Sequence, residues 1–275
     1  MTENLLSDRI RDVRISTILT LLAKRGELQV RSLPSILGVS GATVRRELAV
    51  MEETGLIRRS YGKIAAVHRG AELPVSLRRS QNTEAKRRLG ALASSLIPTR
   101  PLTMALGGGS TIGFVARSLA RRSNLTVVTN SLDTATSLMA RQVVKVVVTG
   151  GIARPLSNEL VGRAAEKMLR SYQFDFVIVS ADGVSPENGL TRYSPRGAEI
   201  DRIMLEQAEH KVVVADSSKF GRVQQAKIAD IGSINAVVTD SQANADMVAS
   251  LREIGVDVTL VVIPSAAKSQ RIRFV

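Results

Sequence analysis

The sequence predicts an α/β chain in two pieces, a winged helix-turn-helix followed by an open, mainly parallel α/β sheet domain. Three observations carry that expectation. Residues 8–67 read as three helices punctuated by glycines and closed by a hairpin. Residues 102–263 hold seven short, valine-rich runs that are nearly continuously apolar. Helix-length stretches separate those runs, the alternation of a sheet with helical crossovers.

In chain order, Ile10, Val13, Ile18, Leu21 and Leu22 fall near helical spacing over residues 8–25, and Gly26 ends that helix. A second helix is expected over 30–37, with Gly38 as its C-cap residue. Ser40 is a natural N-cap for a third helix over 41–54, which Gly55 closes. Residues 56–67 read as two short strands about a Tyr61-Gly62-Lys63 turn. Residues 68–82 lack periodicity, contain Gly70 and Pro74, and read as a linker. The runs at 102–106, 125–129, 144–149, 174–181, 211–216, 236–240 and 256–263 do not alternate polar with apolar, which suits strands buried on both faces of a parallel sheet. The expected division is 1–67, 68–82 and 83–275.

The 275 residues carry 38 Lys and Arg against 25 Asp and Glu, a formal net charge of +13. That excess points to an anionic partner. The stretch 69–88 is the most basic per residue, with six basic side chains against two acidic ones. Without cysteine, a disulfide scaffold and a thiolate metal site are excluded. No apolar run approaches the roughly 20 residues of a membrane helix, and the N-terminus does not read as a signal peptide. The expectation is a cytoplasmic chain that uses no metal and no cofactor.

The third helix carries the first candidate site. Val44, Leu48 and Met51 share a face that would pack on the other helices, and Arg46 points almost directly away from it. Ala42 and Ala49 flank Arg46 as small residues, with Thr43 and Arg45 to either side. A helix that enters a DNA major groove by its N-terminal half needs small residues, arginines for guanine edges or phosphates, and a hydroxyl. N–H groups near Ser40 can hold a phosphate oxygen. In the hairpin, Arg58, Arg59 and Lys63 are placed for the neighbouring backbone. Paired arginines alone would fit a solvent-facing helix better. The order of helix, Gly38, Ser40, Thr43-Val44-Arg45-Arg46 and wing is what favours double-stranded DNA.

The second candidate site begins at "ALGGGSTIGF", 105–114, where the first run of the sheet domain ends. Ligands of open parallel sheets bind beyond the strand carboxyl ends. Gly107, Gly108 and Gly109 allow close backbone approach, Ser110 and Thr111 supply hydroxyls, and the helix from about Ile112 aims its dipole there. A dinucleotide fingerprint is not met: Ile112 stands at the third glycine position, and the second strand ends Thr129-Asn130-Ser131 without an acid. A monophosphate site fits better, and a purely structural turn also remains compatible with the glycines. Asn130 and Ser131, Gly150 and Gly151, Asp182 and Gly183, and Lys219 recur at other strand ends. Lys219 could neutralise a phosphate or meet a sugar oxygen, Asp182 could accept from sugar hydroxyls, and Asn130 offers both a donor and an acceptor. For catalysis the only histidines are His68 and His210, read as linker and helix-end residues; Asp182 and Glu199 are the other bases. An isomerase-like enzyme is therefore the weaker alternative, and no catalytic residue is assigned.

The stretch "VSGATVRRELAVMEETGLIRRSYG" resembles the N-terminal domain of the DeoR family of bacterial transcriptional regulators, through Val39, Ser40, Thr43, Val44, Arg45, Arg46, Glu47, Gly55 and Leu56. "NLTVVTNSL", "ADG" with "GLT", and "ADSSKFGR" are similar to the same family's effector domain, as are Arg78, Asn82, Glu84 and Lys86 upstream. The resemblance implies a fold like ribose-5-phosphate isomerase and glucosamine-6-phosphate deaminase. It also implies a repressor whose affinity for operator DNA is controlled by a phosphorylated sugar or related metabolite. Two recognition helices on neighbouring half-sites are needed for useful affinity, so a homodimer or homotetramer is expected. Departures stand out against the pattern. Tyr61-Gly62-Lys63 replaces His-Gly-Gly in the wing. Gly107 to Ile112 replace Asp-Ser-Gly-Thr-Thr-Thr in the loop. Gly197 and Asp201 stand where an acid and a lysine are common.

Overall fold

The computed structural model describes residues 2–67 and 72–263, without the side chains of 2–9, 23 and 24. It divides into two compact units, Met1–Gln81 and Asn82–Val275. His68 and Gly70 lie outside the described residues.

The first unit runs α1 (Thr2–Arg25), β1 (Glu27–Gln29), α2 (Leu33–Leu37), α3 (Gly41–Glu53), β2 (Ile57–Ser60), β3 (Lys63–Ala66) and α4 (Val75–Ser80). Its core gathers Ile15, Ile18, Leu19 and Leu22 of α1, Leu33 of α2, and Val44, Leu48 and Met51 of α3. Ile10 and Val13, expected on the buried face of α1, are half exposed; among the described side chains of α1, Ile15 is the first in the core. The second helix is also shorter than expected. A tight 3-10 turn at Val30–Ser32 precedes α2, whose first turn accommodates Pro34, and Gly38 ends it at φ +66°. β1 was not foreseen, because three residues are too few for a period. It pairs antiparallel with β3, Glu27 against Ala65, and completes a sheet of order β1-β3-β2. The stretch read as a linker contains α4, whose Leu77 joins the core. Six residues make less than two helical turns, so no apolar stripe could announce it.

The second unit opens with α5 (Thr83–Ser95), β4 (Leu102–Leu106), α6 (Ile112–Leu119), β5 (Leu125–Thr129), α7 (Leu132–Met139) and β6 (Lys145–Val148). Then come the hairpin β7 (Ile152–Arg154) and β8 (Glu159–Val161), α8 (Arg163–Arg170), β9 (Phe174–Val179), β10 (Gly183–Ser185), β11 (Gly189–Arg192) and α9 (Pro195–Glu206). β12 (Ala208–Val214), β13 (Ala226–Ala229), β14 (Ala236–Asp240), α10 (Ala245–Glu253) and β15 (Asp257–Val261) complete it. Each of the seven apolar runs contains or overlaps a strand of one sheet, ordered β15-β14-β12-β9-β4-β5-β6, with every neighbouring pair parallel; β12 starts at Ala208, ahead of its run. Successive residues feed opposite cores. On β9, Val177 and Val179 pack with α8, α9 and α10, while Phe176 and Ile178 pack with α5, α6 and α7. This two-sided burial is why the runs lack alternation.

The strand order reverses between β4 and β9. The chain proceeds from β4 through β5 to β6 at one edge, then returns to β9 and builds toward β15. Loops leaving β4 and β9 therefore part at that point, the usual crevice of doubly wound sheets.

Candidate functional site

On α3 the two faces separate as their residue types require. Val44, Leu48 and Met51 are fully buried, and Ala42, Arg45, Arg46 and Ala49 are exposed. Ser40 caps the helix, its Oγ accepting from the Thr43 N–H at 3.2 Å and lying 3.0 Å from Thr43 Oγ1. Glu47 contributes in a way that residue spacing did not reveal. It is buried, and Arg14 of α1 donates Nε to its Oε1 at 2.8 Å. That charge-assisted bond fixes α3 against α1 and so sets the angle at which the exposed arginines are offered.

The wing is a two-residue turn. Tyr61 (φ +47°) and Gly62 (φ +73°) both take positive φ, as a type I′ hairpin demands. Tyr61 is completely exposed at the tip. Arg58 is exposed as well. Arg59 instead donates to the Arg45 carbonyl at 3.4 Å and pairs with Glu52 at 3.1 Å. Lys63 pairs with Glu27 at 2.5 Å. The Lys63–Glu27 pair is solvent-exposed and contributes little, about 0–1 kcal/mol, so a DNA phosphate can take over that lysine, whereas Arg59 is half-buried against α3.

In the second unit the glycine loop follows β4 directly. The Gly107 N–H donates to Ile178 O of β9 at 3.0 Å, Thr134 Oγ1 of α7 donates to Gly107 O at 3.2 Å, and Ser180 Oγ donates to Gly108 O at 3.2 Å. The loop is thus tied across the reversal point. Gly109 turns it at φ +103°. Ser110 and Thr111 are buried at the start of α6, where the Gly113 N–H donates to Gly109 O at 3.1 Å and the Phe114 N–H to Thr111 O at 3.0 Å.

Asn130 and Ser131 leave β5 beside this loop, both fully buried. Ser131 caps α7 through Thr134 N at 3.2 Å. Asn130 receives the Leu160 N–H on its carbonyl at 2.7 Å and donates Nδ2 to Leu160 O at 3.1 Å, which lays the β7–β8 hairpin across the end of β5. Gly150 and Gly151 lead into that hairpin. A side chain on Gly151 would start 2.7 Å from Val161 O, a packing reason for the glycine.

The residues that sequence reasoning missed come from this hairpin and from β11. Glu159 of β8 has no exposed surface, and a side chain on Gly108 would begin 2.7 Å from its Cγ. Arg192 of β11 is equally buried. It donates Nη2 to Glu159 Oε1 at 2.7 Å and Nη1 to Asp201 Oδ2 of α9 at 2.8 Å. Arg154 of β7 lies 3.7 Å from Glu159 Oε2. Asp182, after β9, accepts from the Tyr193 N–H at 3.3 Å on the same edge. Burial, with repulsion from Glu159 and Asp182, lifts the Asp201 carboxyl to about 7 against the pull of Arg192. Burial would also weaken the charge on Arg192, but the surrounding carboxylates outweigh it and hold the guanidinium protonated. The space beside Gly197 is taken by Arg192, whose Nη1 would lie 3.2 Å from a Cβ there. The resemblance to the family pattern signalled the oddity at Gly107, Gly197 and Asp201, but not the partners that answer it.

Lys219 stands with a different cluster, in the tight turn after β12. Asp216 there accepts from Ser218 Oγ at 2.5 Å and from Asn82 Nδ2 at 2.9 Å. Burial would raise the Asp216 carboxyl, yet Lys86, the Ser218 hydroxyl, Lys219 and Asn82 together hold it below its ordinary value. The segment after Lys219 borders β10: Gly221 N–H donates to Val184 O at 2.9 Å, and a Cβ on Gly183 would sit 2.8 Å from the Arg222 carbonyl carbon.

Neither candidate base outside this edge joins it. His210 is exposed on β12, not at a helix end, with its ring 5.9 Å from that of Phe176. Glu199 pairs on the surface with Arg170 and Arg202. Two cavities also lie elsewhere, one of about 390 Å³ lined by Arg202, Leu205, Lys227 and Asp230, and one of about 440 Å³ at the amino ends of β4 and β5 beside Arg100 and Asp175. No helix among the described residues is long and apolar enough to cross a membrane.

Residues 14–69 match the DeoR-like helix-turn-helix domain and residues 81–241 the DeoR C terminal sensor domain. A chain of Escherichia coli O157:H7 named for an aga operon transcriptional repressor is 32% identical over 90% of this chain and 93% of its own. The Glycerol-3-phosphate regulon repressor of Escherichia coli K12 is 29% identical over 83% and 90%. An HTH-type transcriptional regulator of Haloferax volcanii is 32% identical over 88% and 94%. Among solved structures, ribose 5-phosphate isomerase A of Methanocaldococcus jannaschii aligns at a TM-score of 0.39, with 20% identity over 51% of this chain and 55% of that one, a likeness too distant to define the fold.

Proposed function

This chain belongs to the DeoR family of DNA-binding transcriptional regulators, and from that premise we propose that it is a repressor released from its operator by a phosphorylated sugar or a related metabolite. It regulates and does not catalyse. One observation carries the proposal: α3 offers Arg45 and Arg46 on a face otherwise made of alanines, directly opposite its buried face. In this reading residues 1–67 hold the operator and 83–275 sense the metabolite.

Ser40 and Thr43 set the N-terminus of α3 against a phosphate, Arg46 reads base edges, and Arg45, Arg58, Arg59 and Lys63 hold the backbone. Two such heads on neighbouring half-sites give useful affinity and register, so the active species is a homodimer or homotetramer. Gly107, Gly108, Gly109, Ser110 and Thr111 cradle the metabolite's phosphate. Asn130, Ser131, Gly150, Gly151, Asp182, Gly183 and Lys219 border its sugar. Release follows only because the metabolite binds the DNA-free state more tightly.

The test is band-shift titration on the upstream DNA of the chain's own gene, repeated with a panel of sugar phosphates. At least one member should release the wild-type protein. A panel without effect sinks the sensing half of the proposal. Arg46→Ala should lose specific binding by about 1–3 kcal/mol while keeping weak, salt-sensitive association; unchanged specific binding sinks the assignment of α3.

A further inference from the structure

The loop after β4 carries no charged side chain of its own, yet charge is concentrated against it. Glu159 packs on Gly108 so closely that a Cβ there would run into its Oε1, so a side chain at this position requires Glu159 to move. Two arginines converge on its carboxylate from different elements, Arg192 of β11 at 2.7 Å and Arg154 of β7 at 3.7 Å. The arrangement is that of an anion seat: a glycine loop, the start of α6, and two guanidinium groups. The anion seated there belongs to the chain itself.

The seat fits that carboxylate poorly. Glu159 has no exposed surface, but its Oε2 accepts no hydrogen bond among the described residues. Asn130 Oδ1 and Thr149 Oγ1, from the adjoining strand ends, are likewise buried without a hydrogen-bond partner. A buried carboxylate ordinarily accepts several hydrogen bonds, and leaving one oxygen unmet is costly. Arg192 is meanwhile held from its far side by Asp201 at 2.8 Å, so it keeps its place when Glu159 leaves. A phosphomonoester offers three oxygens where the carboxylate offers two, and more negative charge between the same guanidiniums.

We propose that Arg154 and Arg192 form the phosphate seat of the sensor unit, and that Glu159 fills this seat until a phosphomonoester displaces it. This rests on the sensing function proposed above and assigns its phosphate-binding cations. The hydroxyl and amide oxygen left unmet at Thr149 and Asn130 then face the sugar end of the ligand. Glu159 acts as an internal competitor: its removal strengthens effector binding, whereas removal of a sugar-binding acid would weaken it.

The experiment is calorimetric titration of the full-length protein with inorganic phosphate, ribose 5-phosphate, glucosamine 6-phosphate and glycerol 3-phosphate, with thermal unfolding as a control for folding. Glu159→Gln keeps the shape and removes the charge. It should tighten the best-binding phosphate by about tenfold, and Arg154→Gln, at the more exposed of the two arginines, should weaken it by about tenfold, the worth of one charge-assisted hydrogen bond. Gly108→Ala provides the variant that leaves every charge in place. By crowding Glu159 out of the seat it should also tighten binding. If wild-type protein binds none of the four, the sensing function falls and this seat with it. If wild-type protein binds one of them but Glu159→Gln and Gly108→Ala leave that affinity unchanged or weaken it, or Arg154→Gln leaves it unchanged, the seat is overturned while sensing stands. Equal tightening by all three variants also overturns it, because a general loosening of the hairpin would explain that result.

Discussion

Asp201 shows how single residues at this edge differ in what they made legible. Its carboxyl is raised from an ordinary 3.8 to about 7, so the folded protein holds a proton that the unfolded chain has released. A raised carboxyl contributes stability that is fully present below its unfolded value and is lost as the pH climbs through about 7. Urea titrations at pH 5 and pH 8 should therefore show the wild type losing on the order of 2 kcal/mol more than Asp201→Asn. Equal losses would mean that Asp201 is charged at both pH values. The sequence marked Asp201 as a departure from a pattern but could not say what it touched. Arg192 lies nine residues away on another element, and Glu159 is 42 positions distant on a strand of three residues. Contacts of that kind come from tertiary pairing and leave no local period. Ser40, by contrast, was readable because a cap acts within three residues of itself.

Among the elements, those that bury an entire face were the readable ones. The cores of α3 and of the seven parallel strands follow from apolar spacing alone. Leu48, at the centre of the α3 face, has no exposed surface, and Leu48→Ala should cost about 2–5 kcal/mol in chemical denaturation. A loss below about 1 kcal/mol would place it outside the core. The pieces that escaped notice, β1, β7, β8, β10, β11, β13 and α4, are three to six residues long. Long-range pairing defines them. β10 exists because backbone approaches backbone, and there Gly183→Ala would push a methyl group against the Arg222 carbonyl. Thermal unfolding should report a cost of about 1–3 kcal/mol, and a neutral result would show that the 220–222 segment yields freely.

At the scale of the whole molecule, the charge excess is the simplest predictor of behaviour. Each phosphate neutralised on duplex DNA releases counterions, so log affinity falls with log salt in proportion to the contacts made. Arg58 is exposed on the wing, and Arg58→Ala should reduce that slope by about 1 while leaving sequence preference intact. An unchanged slope would remove the wing from the interface. The composition supports a further use of the exposed wing tip. The chain has no tryptophan and three tyrosines, so its near-ultraviolet emission comes from those three rings. Tyr61 stands fully in solvent at the end of the hairpin. Tyr172 stacks on Phe174 at 5.8 Å, and Tyr193 gives its N–H to Asp182 beside the candidate metabolite site. The protein thus carries its own unlabelled optical probes, one in the helix-turn-helix unit and two in the unit that matches the sensor domain. Tyr61→Phe removes one signal and leaves the other pair, so a single cuvette can separate the two binding events.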